Sequence, residues 1–288
     1  MISFILCVLL TGSFFIFFKY FDKFKVNTFQ AIVVNYFVCA IVGLWYSGGI
    51  PLEVKSYDPN WMIFGSVLGL LFISCFFLMA KTAQSISVAV SSVASKMSLI
   101  LSSVLSVVFV TGFESFGVLN ILGLLLSVLA VGLVTYQPSL IQDSEKIKKS
   151  ALLVGAVFLG TGFLDAIINM ANHYFVYDHF QKVFPVFCFS IAFIAGIISV
   201  VFSGKKFQLK DVIAGVALGI PNYFSIYFLL QALSFFDNDG SLVFPILNLS
   251  VILLSSLLAF LLFGERLSKV NLLGVIVAIL SLVVLMWR

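Results

Sequence analysis

Charge is what this chain has least of. Of its 288 residues only 10% are Asp, Glu, Lys or Arg, against 62% that are hydrophobic. A soluble domain carries roughly 25% charged residues, so this composition reads as an integral membrane protein. Cysteine is scarce as well. Cys7, Cys39, Cys75 and Cys188 lie inside apolar runs at unrelated spacings, which excludes a disulfide frame or a metal cluster and leaves small packing residues. His173 and His179 make a poor metal site, and no His-Glu-x-x-His motif occurs. There is no Gly-x-x-x-x-Gly-Lys-Ser/Thr loop, so the chain does not hydrolyse ATP itself. A net charge of +4 with no suggestive basic run excludes nucleic acid as a partner. The first apolar run lacks a basic leader and a small-residue cleavage site, and reads as a spanning helix rather than a signal peptide. No cofactor and no metal is expected.

What is present is a series of apolar runs, each long enough for a bilayer, which a helix of about 17 to 25 residues crosses. Ten can be read: 2–18, 29–47, 61–80, 86–110, 117–135, 151–172, 183–203, 212–233, 241–263 and 270–287. Tyr20, Trp45, Tyr46, Trp61, Tyr136, Tyr174, Tyr177 and Trp287 fall near their ends, where amphipathic rings prefer the membrane interface.

The runs repeat. Glu114, Asn120, Leu122 and Gly123 return 151 positions later as Glu265, Asn271, Leu273 and Gly274. Thr11-Gly12 matches Thr161-Gly162, Phe29-Gln30 matches Phe180-Gln181, and Gly65-x-x-x-Gly69 matches Gly215-x-x-x-Gly219, all at offsets of 150 or 151. Four matches in register divide the chain into a first five-helix repeat (1–136), a polar connecting loop (137–150) and a second five-helix repeat (151–288). Five spans is an odd number, so the second copy enters the membrane from the opposite side. The fold expected is all-α, ten transmembrane helices as two inverted repeats around a central cavity. The paired glycines let helices approach closely and are expected to pack.

Lys19, Lys23, Lys25, Lys81, Lys146, Lys148, Lys149, Lys205, Lys206, Lys210, Arg266 and Lys269 fall in one set of loops, and Lys55, Lys182 and Arg288 in the other. The positive-inside rule then leaves both termini outside a plasma membrane, here a bacterial inner one.

Polar residues inside the runs mark the places to look. Lys96 lies near the middle of the fourth, where a lysine costs roughly 2.5–3.5 kcal/mol on insertion scales. It forms a structural ion pair, reaches backbone carbonyls, or binds an electron-rich group such as a carboxylate or phosphate. A stripe of Ser91, Ser95, Ser98, Ser102 and Ser106 lies roughly 100° away and reads as close helix packing. Asp165 is the single deep acid, followed by Asn169 and Asn172 on one face. It either exchanges a proton during transport or pairs permanently with Lys96. In the eighth run Pro221 removes a backbone donor and predicts a break, with Asn222, Tyr223 and Tyr227, then Gln231, beside it; these read as substrate contacts, or else as a kink with hydrogen bonds between helices. Asn248 and Asn35 are weaker candidates, for which hydrogen bonding between helices is an equal reading. Glu114 and Glu265 sit at equivalent hairpins and read as caps of the following helix or holders of the turn.

Phe244-Pro245-Ile246-Leu247, Phe263-Gly264-Glu265-Arg266-Leu267 and Asn271-Leu272-Leu273-Gly274 resemble the end of an EamA-type repeat of the drug/metabolite transporter superfamily. Ala83 with Ser87-Val88-Ala89, then Glu114 and Gly123, look like its first copy, although Ala94 stands where the second copy has Pro245. The resemblance covers essentially the whole chain. It implies a ten-helix transporter with a central cavity, whereas many members have their termini inside.

These readings converge on a secondary transporter that moves a small organic metabolite across the cytoplasmic membrane by alternating access, with a proton as a coupling ion it admits. Duplicated halves are a common build for such proteins. Its partners would be that metabolite, the lipid bilayer and the proton; a homodimer is compatible with it. The alternative is a non-transporting receptor or membrane scaffold. Intramembrane aspartyl proteolysis needs two carboxylates that meet, and only Asp165 is deep, so no enzyme is expected.

Overall fold

A computed structural model describes residues 2–48, 60–106, 117–136, 144–174, 183–204, 206–235, 240–265 and 268–286. All secondary structure among them is helical: α1 (Ile2–Lys23), α2 (Thr28–Ser47), α3 (Asn60–Ser85), α4 (Val88–Met97), α5 (Leu99–Ser106), α6 (Val118–Thr135), α7 (Ser144–Tyr174), α8 (Val183–Ser203), α9 (Leu209–Phe235), α10 (Gly240–Phe263) and α11 (Lys269–Met286). Seven described helices are long and apolar enough to cross a membrane, and the chain is a multi-pass helical membrane protein. Two further apolar stretches, Ile121–Val134 and Lys269–Val284, are shorter.

Three expectations change. The run 86–110 is not one helix, because α4 stops at Met97 and α5 starts at Leu99. Hydroxyls offer its backbone another partner: Ser98 Oγ donates to the Ser95 carbonyl (2.6 Å) and Ser95 Oγ to the Ser92 carbonyl (3.1 Å), bonds that compete with the helical ladder. Ser95 and Ser98 of the stripe thus shape the backbone, and Ser91 Oγ donates to the Met79 carbonyl (2.8 Å). Pro221, by contrast, breaks nothing: α9 runs through it from Leu209 to Phe235. The connecting loop is shorter than expected, since Ser144–Ser150 already belong to α7, with Glu145 in its first turn, where an acid suits the helix dipole.

The chain folds as two compact units, Met1–Phe77 with Ile167–Ala232 and Leu78–Ala166 with Leu233–Arg288. Neither coincides with a sequence repeat, and each takes helices from both.

In the first unit the glycine pairs are crossing points. A Cβ on Gly69 would lie 2.6 Å from the Cys188 carbonyl oxygen of α8, and one on Gly65 would meet Phe187. Likewise a Cβ on Gly215 would meet the Ala31 carbonyl and Val34 of α2, and one on Gly219 would meet Val38 and the Asn35 carbonyl. The repeated motif therefore packs each time on the second helix of the other copy. Gly43 of α2 abuts Val186 of α8, and Gly196 abuts Val33, so these two sequence-equivalent helices run antiparallel. Phe76 joins α3 to Phe14 and Phe18 of α1 by ring contacts.

In the second unit two more equivalent pairs run antiparallel. Asn271 Nδ2 of α11 donates to the carbonyls of Leu133, Val134 and Tyr136 at the end of α6, while Ser281 Oγ reaches the Gly123 carbonyl (2.9 Å). Along α4 and α10, Asn248 meets Lys96 and Ser255 meets Ser92.

The lysine-rich loops gather at one end within each unit. In the first, Asn27 N–H donates to the buried Asp211 carboxylate (2.8 Å), and Lys210 Nζ to the Lys25 carbonyl (2.6 Å). In the second, Gly264 ends α10 with φ +62°, a left-handed conformation that glycine adopts freely. The turn carries Glu265 to the start of α4, where its carboxylate accepts the Val88 N–H (3.1 Å). Glu265 thus caps a helix of the other copy rather than its own successor. Glu114 lies outside the described residues.

Candidate functional site

The expected site residues fall into two groups, one in each unit. In the first unit Asn35 of α2 and Asn222 of α9 are buried and paired: Asn222 Nδ2 donates to Asn35 Oδ1 (3.1 Å). Close approach of the two helices at Gly219 makes this contact possible. Cys39 Sγ adds a bond to the Gly219 carbonyl (3.3 Å). Asn35 Nδ2 is buried with no hydrogen-bond partner, as is the Tyr36 hydroxyl. A buried amide donor without a partner costs about 1–3 kcal/mol, so this knot is a specific feature rather than generic packing.

Tyr223 and Tyr227 lie toward the end of α9 remote from the lysine-rich loops. Tyr223 is buried, and Tyr227 is half-buried. Tyr227 shares a hydrogen bond with Tyr46 across their hydroxyls (2.8 Å), and accepts one from Gln231 Nε2, whose Oε1 in turn accepts from Ser3 Oγ (3.0 Å). Rings of Tyr46 and Tyr227 meet edge to face with centroids 4.8 Å apart. Tyr46 is legible only as an interface aromatic; Gln231 shares a helix face with Tyr227 at i+4, whereas Ser3 carries no sequence signal that ties it to them. Asp211 was also missed, since an acid beside Lys210 at a helix start looks like ordinary loop charge.

In the second unit the site is built on the discontinuity between α4 and α5. Lys96 is the penultimate residue of α4 and is half-buried. Its carbonyl accepts from Asn248 Nδ2 of α10 (3.1 Å) and from the Ser98 N–H. One α-helical turn back, Ser255 Oγ donates to Ser92 Oγ (2.6 Å). On another side α7 packs on the same place: Thr161 Oγ1 lies 3.3 Å from the Ser95 carbonyl, and Gly162 lets Leu101 approach. Asp165 follows Thr161 by one turn, on the face of α7 that packs on Ser95, the residue before Lys96. Lys96, Asp165 and Asn248 therefore belong to one group. The side chain of Asn169, and those of Asn172 and His173, lie outside the described residues. Among the described residues no cluster of His, Cys, Asp and Glu has the makings of a metal site.

No family model matches the chain. An uncharacterized protein of Haemophilus influenzae is 29% identical over 212 residues, spanning 73% of this chain and 70% of that one. A crystal structure of a protein described in no further terms superposes with a TM-score of 0.63 at 16% identity, over 98% of this chain and 95% of the other. That likeness concerns the fold alone.

Proposed function

We propose that the chain is a secondary transporter of the drug/metabolite transporter type, moving a small organic metabolite across the cytoplasmic membrane by alternating access between two inverted five-helix repeats. The observation that carries this reading is the group of Lys96, Asp165 and Asn248. It puts a cation and an acid inside apolar helices, on elements contributed by both sequence repeats. Ionisable groups in spans are costly and mark solute or ion pathways. A discontinuous helix at that point adds support, because transporters build their sites on such interruptions. The antiparallel pairing of α2 with α8, α4 with α10 and α6 with α11 agrees with inverted copies.

In this reading Lys96 and Asn248 contact the solute, Asp165 is the coupling group, and Asn35, Asn222, Tyr223 and Tyr227 form a second set of contacts. Lysine-rich loops face the cytoplasm and both termini lie outside. The test is flux. A metabolite is first selected by its ability to raise the thermal stability of the purified protein, then loaded into proteoliposomes. Gradient-driven movement should fall at least tenfold in Lys96→Ala, equivalent to about 1.4 kcal/mol or more, and in Asn222→Ala. Unchanged flux in both variants removes the site, and absent flux with intact ligand binding turns the reading to a receptor.

A further inference from the structure

Among the described residues of the second unit, Asp165 is the one acid inside a helix away from its ends, and Lys96 is the cation in the last turn of α4, where that helix gives way to α5. Among the described residues, the side chains that bond along this turn of α4 are uncharged. From α10 come Asn248 and Ser255, from α4 Ser92 and Ser95, and from α7 Thr161. A lysine and an aspartate together carry no net charge when both are ionised, and that balance limits what they can take in.

We propose that Asp165 is the resident occupant of an anion site at Lys96, so that an anionic group enters only together with a proton, which Asp165 takes. The proposal rests on the transporter reading for its solute and deepens it by naming the solute's charge and its companion ion. With Lys96 charged and Asp165 ionised, an added carboxylate leaves a net negative charge inside apolar helices, and an uncompensated buried charge is strongly unfavourable. Protonating Asp165 from solution restores neutrality: the anion and one proton are bound, the carboxylate of the solute faces Lys96, and Asp165 becomes a neutral hydrogen-bond donor. No bond other than that O–H forms or breaks. A solute bound this way crosses as an electrically neutral load, driven by a pH difference and indifferent to voltage. The geometry supplies the exchange point, because α7 meets the interruption of α4–α5 at Thr161 and Gly162, one turn before Asp165. Asn248 holds the Lys96 backbone from the opposite partner helix.

The test reads binding rather than flux. Purified protein in detergent is given acetate, lactate, glutamate and inorganic phosphate, with acetamide and lactamide as uncharged counterparts. Thermal unfolding and proton uptake in weak buffer are followed. The expected result is stabilisation by at least one of the anions and by neither amide, with about one proton taken up per anion bound. Because the bound state holds the extra proton, apparent affinity should rise as pH falls, by up to tenfold per pH unit where Asp165 is ionised in the free protein. Asp165→Asn should bind the same anion without pH dependence and without proton uptake. The charge-balanced double variant Lys96→Met with Asp165→Asn should remain folded and bind none. No anion binding in wild type and Asp165→Asn, binding without a proton in wild type, or binding that survives in the double variant would each overturn the proposal. Proton-linked binding without flux leaves it standing and removes transport; flux without proton-linked binding does the reverse.

Discussion

At the scale of single residues, the Asn35–Asn222 contact sets an asymmetry that mutation can read. Asn35 Nδ2 already lacks a partner, so Asn35→Ala deletes an unsatisfied donor along with a useful acceptor. Asn222→Ala deletes a donor that is in use and leaves the Asn35 amide poorly matched. Asn222→Ala should therefore lower stability more than Asn35→Ala, by about 0.6 kcal/mol or more, the average scale of such bonds between membrane helices. Thermal unfolding of the two variants in detergent decides it, and equal losses would refute it. The sequence made each asparagine visible, because an amide inside an apolar run stands out. It did not make the pair visible, since partners 187 positions apart leave no local trace. The same holds for Tyr46 and Tyr227, where one ring looked like a membrane anchor and the other like a ligand contact.

At the scale of helices, hydropathy located most described segments to within about five residues, because spanning length and apolarity are strong local signals; it missed the first turns of α7 and the division of 86–110. It failed where side chains act on backbone. Pro221 was expected to break α9 and does not, whereas a run of serines without proline or glycine interrupts α4–α5. Proline announces a missing donor, yet its neighbours can absorb it; serine hydroxyls redirect carbonyls only when burial turns them inward. Replacing Ser95 and Ser98 together by Ala should favour continuation of α4 into α5. Amides of Leu99 and Ile100 would then exchange hydrogen more slowly, by roughly tenfold for each 1.4 kcal/mol gained by the joined helix. Hydrogen-exchange mass spectrometry measures this directly, and unchanged or faster exchange would mean that the interruption is set by α7 and α10 instead. Repeated glycines are packing points, as their spacing predicts, and nothing local in the sequence names their partners, α8 for one copy and α2 for the other.

At the scale of the whole molecule, the lysine-rich loops share one end within each unit, as the charge count anticipated. Reporter fusions check the direction: alkaline phosphatase joined after Arg288 should be active, and a fluorescent protein that folds only in the cytoplasm should stay dark there. The opposite pair of outcomes reverses the orientation. The duplication was legible as matched residues at a fixed offset; the exchange of helices between copies was not, because pattern identifies copies without saying who packs on whom. That exchange has a consequence for how the chain is made. Residues of α3 that surround Gly65 and Gly69 reach the bilayer long before α8 exists, and at roughly 5–20 residues per second the interval to the end of α8 is on the order of ten seconds. During that time the first repeat waits in lipid with a glycine-lined groove open on α3 and its counterpart face open on α2. Completion then depends on later helices finding earlier ones, so two separately translated halves, cut within residues 137–143, should assemble into the working protein when made together.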